Sequence, residues 1–204
     1  MESMAWHEHC VLRDDVRQGT LTLAEFAADL YAVRTGEAPN VYRLPNQFFS
    51  RTYPTYNLKT LVRDVLHRLS GRGGKPVIRV QVAYGGGKTH ALITLLHLAE
   101  RGDELKTHST VQEFLAFSGL DQLPKAKVAM LPFDKFDVKA GLSVISPDGK
   151  PRQVKTPWGA LAYQLAGDEG LAKVAAHEAD YITPAEPILV ELLKAPQAVY
   201  PDLD

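Results

Sequence analysis

The sequence predicts an α/β fold with a parallel-sheet core, incomplete toward the C-terminus, behind an N-terminal helical region. Three observations predict it. A β-branched run around Val80-Gln81-Val82 enters three consecutive glycines and a Lys-Thr pair, and an apolar-periodic helix follows. A strand-like run at 127–133 lies beyond two helical stretches, which is the strand–helix–helix–strand order of a parallel crossover. Ahead of both, residues 57–69 carry an unbroken apolar stripe at helical spacing. The expected division is a helical region over 1–74 and a nucleotide-binding core over 75–204, with a hairpin inserted near 142–155.

The N-terminal elements follow in order. Residues 1–19 read as irregular. His7, His9 and Cys10 lie close together, but no matching pair follows at zinc-like spacing, so the segment reads as surface. Arg13, Asp14, Asp15 and Arg17 alternate in sign, as on a solvated face. Thr22 and Glu25 form a capping box, and Leu23, Phe26, Ala27, Leu30 and Tyr31 keep helical spacing up to Gly36. A loop over 36–44 leads to a short helical turn at 45–51 with Phe48 and Phe49 as buried anchors. Tyr53-Pro54-Thr55-Tyr56 reads as a rigid connector. With no basic run interleaved, its aromatics read as packing residues rather than a base-stacking platform. Asn57 then caps a helix striped by Leu58, Leu61, Val62, Val65, Leu66 and Leu69. Ser70 to Gly74 is a flexible link.

The core opens with a strand over 76–83. Arg79 and Gln81 alternate with its apolar residues and require polar partners, because a central parallel strand is usually apolar on both faces. A helix is expected from Lys88 to Glu100. Ser109 or Thr110 caps the next, carrying Val111, Phe114, Leu115 and Phe117 up to Gly119. Lys127 to Phe133 reads as the second strand. Ser146-Pro147-Asp148-Gly149 is the turn of the hairpin, whose Lys150, Arg152 and Lys155 read as solvated. Thr156-Pro157 opens a helix with Trp158, Leu161, Ala162 and Leu165 inside and Gly167 at its end. A further helix spans about 168–179. Thr183-Pro184 opens the last one, striped by Ile188, Leu189, Leu192 and Leu193.

The chemistry concentrates at the glycines. A loop that wraps phosphate oxygens must aim consecutive backbone N–H groups at them, which needs positive φ and close approach of backbone to anion. A helix starting at Lys88 adds the positive end of its dipole. The candidate binding residues are Tyr84, Gly85, Gly86, Gly87, Lys88, Thr89 and His90. Lys88 is placed to reach β- and γ-phosphates, and the Thr89 hydroxyl to ligate Mg²⁺. Tyr84 either stacks on a base or packs under the loop. His90 approaches the phosphates or packs. The usual P-loop carries a glycine five positions before its last, where this chain has Val82. Asp134 and Asp137 follow the second strand, where ligands bind in open α/β sheets, and Asp134 is a candidate for Mg²⁺ or its water.

Composition sets the frame. Apolar residues make up 45 % and charged residues 23 % of 204, which fits one globular domain. A formal net charge of −1 gives no global sign of nucleic-acid binding. One cysteine excludes an internal disulfide. The first ten residues lack the apolar core of a signal peptide, and no stretch is long enough to span a bilayer, so the expected place is the cytoplasm.

The stretch from Trp6 to His97 resembles a known group. The residues that carry the likeness are Cys10 to Arg17, Phe26 to Tyr31, Phe48-Phe49 with Thr52-Tyr-Pro-Thr55, and above all Ala83-Tyr-Gly-Gly-Gly-Lys-Thr-His90, with Thr156-Pro-Trp-Gly159 in support. They look like the N-terminal part of large prokaryotic P-loop, AAA-like ATPases of a domain-of-unknown-function family found in phage-defence islands, similar to the ATPases of BREX-type systems. The resemblance implies a P-loop NTPase-like core, ATP or ADP with Mg²⁺ as cofactors, and other defence subunits and DNA as partners. It also implies an apolar strand ending in Asp-Glu, and an arginine finger, that this sequence does not reach. The expectation is therefore nucleotide binding with weak or absent hydrolysis, in a truncated reading frame or fragment. The alternatives are a non-hydrolysing interaction module, which could oligomerise, and an inactive remnant.

Overall fold

The computed structural model describes residues 10–19, 28–81, 83, 85–137 and 139–194. Among them the chain is mostly helical, and the one sheet is a two-stranded antiparallel hairpin. The elements are α1 (Asp14–Arg17), α2 (Leu30–Thr35), α3 (Asn40–Arg43), α4 (Pro45–Ser50), α5 (Tyr56–Leu69), α6 (Lys88–Glu100), α7 (Ser109–Ser118), β1 (Leu142–Ile145), β2 (Pro151–Val154), α8 (Pro157–Lys173), α9 (Ala175–Asp180) and α10 (Glu186–Lys194).

Most of the helices start and stop where the side chains dictate. Asp29 accepts the N–H groups of Tyr31 and Ala32, so α2 begins there, and Gly36 closes it at φ +80°. Asp29 itself is extended, so no helix runs through it. Thr22 and Glu25, the expected capping box, lie outside the described residues. Thr55, rather than Asn57, caps α5 by accepting the Leu58 N–H at 3.3 Å. Gly119 ends α7 in the left-handed region at φ +62°. In α8 the expected stop at Gly167 is a break instead, with Gly167 at φ 58° and ψ −143°, and the helix resumes beyond it to Lys173.

The larger core joins α2, α4, α5, α6 and α7 through Val33, Phe48, Phe49, Val62, Leu66, Ile93 and Phe114. Phe48 and Phe49 are fully buried and meet edge to face at 5.3 Å. A second core packs the hairpin on α8 through Leu142, Val144, Val154, Ala160 and Tyr163. A third joins α8 to α10 through Ala162, Val174 and Leu192. The Tyr31 hydroxyl on α2 donates to the Ser143 carbonyl on β1 at 2.9 Å and ties the first core to the second.

The expected parallel sheet is absent among the described residues, which corrects the α/β assignment. Residues 76–81 form no strand; Val77 is 78 % and Ile78 38 % exposed. Arg79 and Gln81 are exposed too, so the polar partners they needed as core residues are supplied by water. The 127–133 run forms no strand either, and side chains explain why. Gln164 donates to the Met130 carbonyl at 2.8 Å and accepts the Met130 N–H at 3.0 Å, occupying both ladder positions of that residue. Arg34 donates to the Val128 carbonyl at 3.3 Å, and Pro132 has no N–H to offer. The run ends in a 3-10 turn, Phe133–Lys135. Neither run that suggested a strand pairs with the other among the described residues: 76–81 is largely exposed, and Met130 is held by Gln164 of α8.

The hairpin forms in the expected place, with Leu142 opposite Val154 and Ile145 opposite Pro151. Ser146 organises its turn: its Oγ accepts the Lys150 N–H at 3.0 Å, and Gly149 sits at φ +80°. Two of its three basic residues are paired, Lys150 with Asp148 at 2.7 Å and Arg152 with Asp168 at 2.5 Å. No described helix is long and apolar enough to cross a membrane.

Candidate functional site

The glycine loop stands at the start of α6. Gly85 and Gly87 both lie at φ +77°, and the Gly86 N–H donates to the Ala83 carbonyl at 3.0 Å. A Cβ built at Gly85 or Gly87 meets nothing within 4 Å. Packing therefore does not require glycine at either position; the left-handed backbone does. Tyr84 and Val82 lie outside the described residues.

The helix that follows differs at its first turn from the other helices of ten or more residues, although the short α1, α3, α4 and α9 also lack a side-chain cap. Thr55, His108 and Thr156 cap α5, α7 and α8 with their side chains. At α8 the Glu178 carboxylate also accepts a hydrogen bond from the Thr156 hydroxyl, which places a negative charge at that N-terminus. α6 is 13 residues long, its N-cap is Gly87, and no side chain caps it. Among the described residues no side chain caps the positive end of its dipole. The surface there is open: Gly85, Gly86, Gly87 and Lys88 are exposed. The Lys88 ammonium folds back across the loop and donates to the Ala83 carbonyl at 3.2 Å. Exposed glycine backbone, a helix start without a side-chain cap and the Lys88 ammonium lie together here.

Thr89 and His90 are half-buried. His90 turns inward, away from the role of phosphate ligand. Its Nε2 lies 3.0 Å from the Thr52 hydroxyl, which donates its own proton to the Phe48 carbonyl at 2.8 Å. A threonine has one hydroxyl proton, so His90 Nε2–H is the donor in their contact. The imidazole lies over Phe48 with ring centres 4.5 Å apart. Burial lowers its pKa and holds it neutral near pH 7. Two turns on, His97 is buried and donates from Nε2 to the Tyr42 carbonyl at 2.8 Å. The first turn of α6 is thereby pinned to α4 by Thr52, a residue that sequence reasoning passed over. Its only sequence signal was the Thr52-Tyr-Pro-Thr55 string.

The acidic candidates sit elsewhere. Asp134 is exposed on the 3-10 turn after Pro132, beside Lys135, which pairs with the α2 cap Asp29. Asp137 accepts the N–H groups of Ala140 and Lys139, which lowers its pKa and explains it as a turn residue. Among the described residues, no three His, Cys, Asp or Glu side chains are grouped to hold a metal ion. Mg²⁺ at the loop would rest on the Thr89 hydroxyl and on oxygens of the bound phosphates themselves.

A family model described as the DUF499 N-terminal domain matches residues 4–200. No curated protein and no solved structure matches.

Proposed function

The chain belongs to the DUF499 N-terminal domain family, and from that premise we propose that residues 83–89 bind the phosphate groups of ATP or ADP together with Mg²⁺. One observation carries the reading. A 13-residue helix begins without a side-chain cap behind two left-handed glycines, with a lysine ammonium held over the loop. Glycine conformation, helix dipole and ammonium each favour a bound polyanion. In this role Lys88 neutralises the terminal phosphates, Thr89 offers its hydroxyl to the metal, and Gly85 and Gly87 supply amides, the Gly86 N–H being held by the Ala83 carbonyl.

The resemblance to defence-island ATPases extends the proposal. The chain would act as the nucleotide-binding part of an ATPase that works with other defence subunits on DNA. Hydrolysis by this chain alone would be weak or absent, because phosphoryl transfer depends on charge stabilisation and an arginine finger alone is worth a factor of about 10³ to 10⁵.

Titration calorimetry with MgATP and MgADP tests the phosphate reading. Saturable heat is expected for the parent chain and none for Lys88→Ala at an unchanged unfolding temperature. No heat at millimolar nucleotide in the parent chain would end the reading.

A further inference from the structure

The backbone over 126–131 uses one edge and leaves the other open. Its even-numbered residues are held by other parts of the chain. The Ala126 N–H donates to the Ala99 carbonyl at 3.2 Å. The Val128 carbonyl accepts from Arg34 at 3.3 Å, and the Val128 N–H acts on the Glu100 carboxylate. The Met130 N–H and carbonyl are both taken by the Gln164 amide, at 3.0 and 2.8 Å. In an extended chain, successive residues direct their N–H and C=O groups to opposite edges. Lys127, Ala129 and Leu131 therefore direct theirs to the other edge, where no described residue hydrogen-bonds to their backbone. All three are half-buried. A row of such unpaired groups is a template for a further strand.

Two features keep this edge available. Lysine commonly guards an edge, but the Lys127 ammonium is turned aside to the Leu165 carbonyl at 2.9 Å. Val128 packs on the larger core and Leu131 on the hairpin core, so both faces of the segment are held. Pro132 ends the row, because it has no N–H. The two ends of the row are charged in opposite senses. Before Lys127, two lysines share one carboxylate: Asp103 pairs with Lys125 and, at 2.8 Å, with Lys106. Beyond Leu131, two carboxylates share one lysine: Lys135 pairs with Asp29 and is acted on by Asp134.

We propose that two copies of this chain associate by antiparallel pairing of this edge, with Ala129 opposite its counterpart and Lys127 opposite Leu131. Run against itself in the opposite direction, the edge sets its basic end on the copy's acidic end, twice. The symmetric register makes about six backbone hydrogen bonds and puts only two methyl groups at the two-fold axis. Arg34, Glu100 and Gln164 block the far edge of each copy, so the pairing closes as a dimer and does not grow into a fibre. The pairing is independent of the phosphate reading.

Sedimentation equilibrium and amide hydrogen exchange on the full chain test it. A strand pair this short is a small interface, and a monomer–dimer equilibrium is expected at about 10 to 1,000 micromolar. As the dimer fills, exchange at Lys127, Ala129 and Leu131 is expected to slow severalfold, while Val128 and Met130, whose amides are held within the chain, stay unchanged. Ala129→Pro removes the central donor and is expected to weaken association about tenfold or more. Asp134→Lys, a surface change, is expected to weaken it severalfold at low salt and less at high salt. A chain that stays monomeric at about 1 mM overturns the proposal. So does a dimer whose Lys127, Ala129 and Leu131 amides exchange as in the dilute chain. Undiminished association in Asp134→Lys, or in an Ala129→Pro chain that keeps the parent unfolding temperature, overturns it as well.

Discussion

His97 shows how a single residue ties the helix behind the glycine loop to the conditions around it. It is buried among Phe48, Phe49 and α6, with the Tyr42 carbonyl on Nε2 and with Arg101 and Glu104 as the charged groups that act on it. Burial is the largest influence and lowers its pKa; Arg101 lowers it further, while Tyr42 and Glu104 oppose. The unfolded chain then binds a proton more readily than the folded one between the folded pKa and about 6.5. Stability contributed by the neutral ring is complete above that range and is lost as pH falls through it. His90, lowered by burial alone, acts in the same direction. The urea midpoint is therefore predicted to fall between pH 7.5 and pH 5.5, and His97→Gln to reduce that fall. An unchanged midpoint across this interval would contradict the burial argument.

At the level of elements, one ion pair joins three pieces of chain. Arg34 on α2 meets both carboxylate oxygens of Glu100 at the end of α6, at 2.7 and 2.6 Å, and also reaches the Val128 carbonyl. Both side chains are mostly buried, at 17 % and 18 % exposure. Burial raises the Glu100 pKa more than Arg34 lowers it, so ionising the pair inside the protein is not free. Removing one partner is worse, because it strands the other charge. Arg34→Met is predicted to cost about 3–5 kcal/mol in urea unfolding, and the double replacement Arg34→Met with Glu100→Leu to recover most of it. Additive losses would show that the two groups do not depend on each other. The same elements show what the sequence could convey. The helices over 88–100 and 109–118 and the hairpin turn were legible, because periodicity and glycines are local signals, although His108 rather than Ser109 or Thr110 caps the second helix. The parallel sheet was not, because an apolar run states neither what it pairs with nor that it is buried: Val77 is 78 % exposed. Whether Met130 meets a neighbouring strand or the Gln164 amide depends on a residue 34 positions away.

For the whole molecule, the helical body built on Phe48, Phe49, Ile93 and Phe114 is the scaffold on which the glycine loop stands. Sequence reasoning located that loop from Gly85, Gly87 and Lys88, whose spacing carries its own geometry. It missed Thr52 and the exposure of Tyr53, since a contact across 38 residues leaves no periodic trace. The central claim is the proposal that the amides from Gly87 to Thr89 form a phosphate site, and amide chemical shifts measure it most directly. Titration of the ¹⁵N-labelled chain with MgATP is predicted to shift those resonances saturably, and Lys88→Ala to remove the response. A spectrum unchanged at millimolar MgATP, or one perturbed only at residues remote from the start of α6, would contradict it.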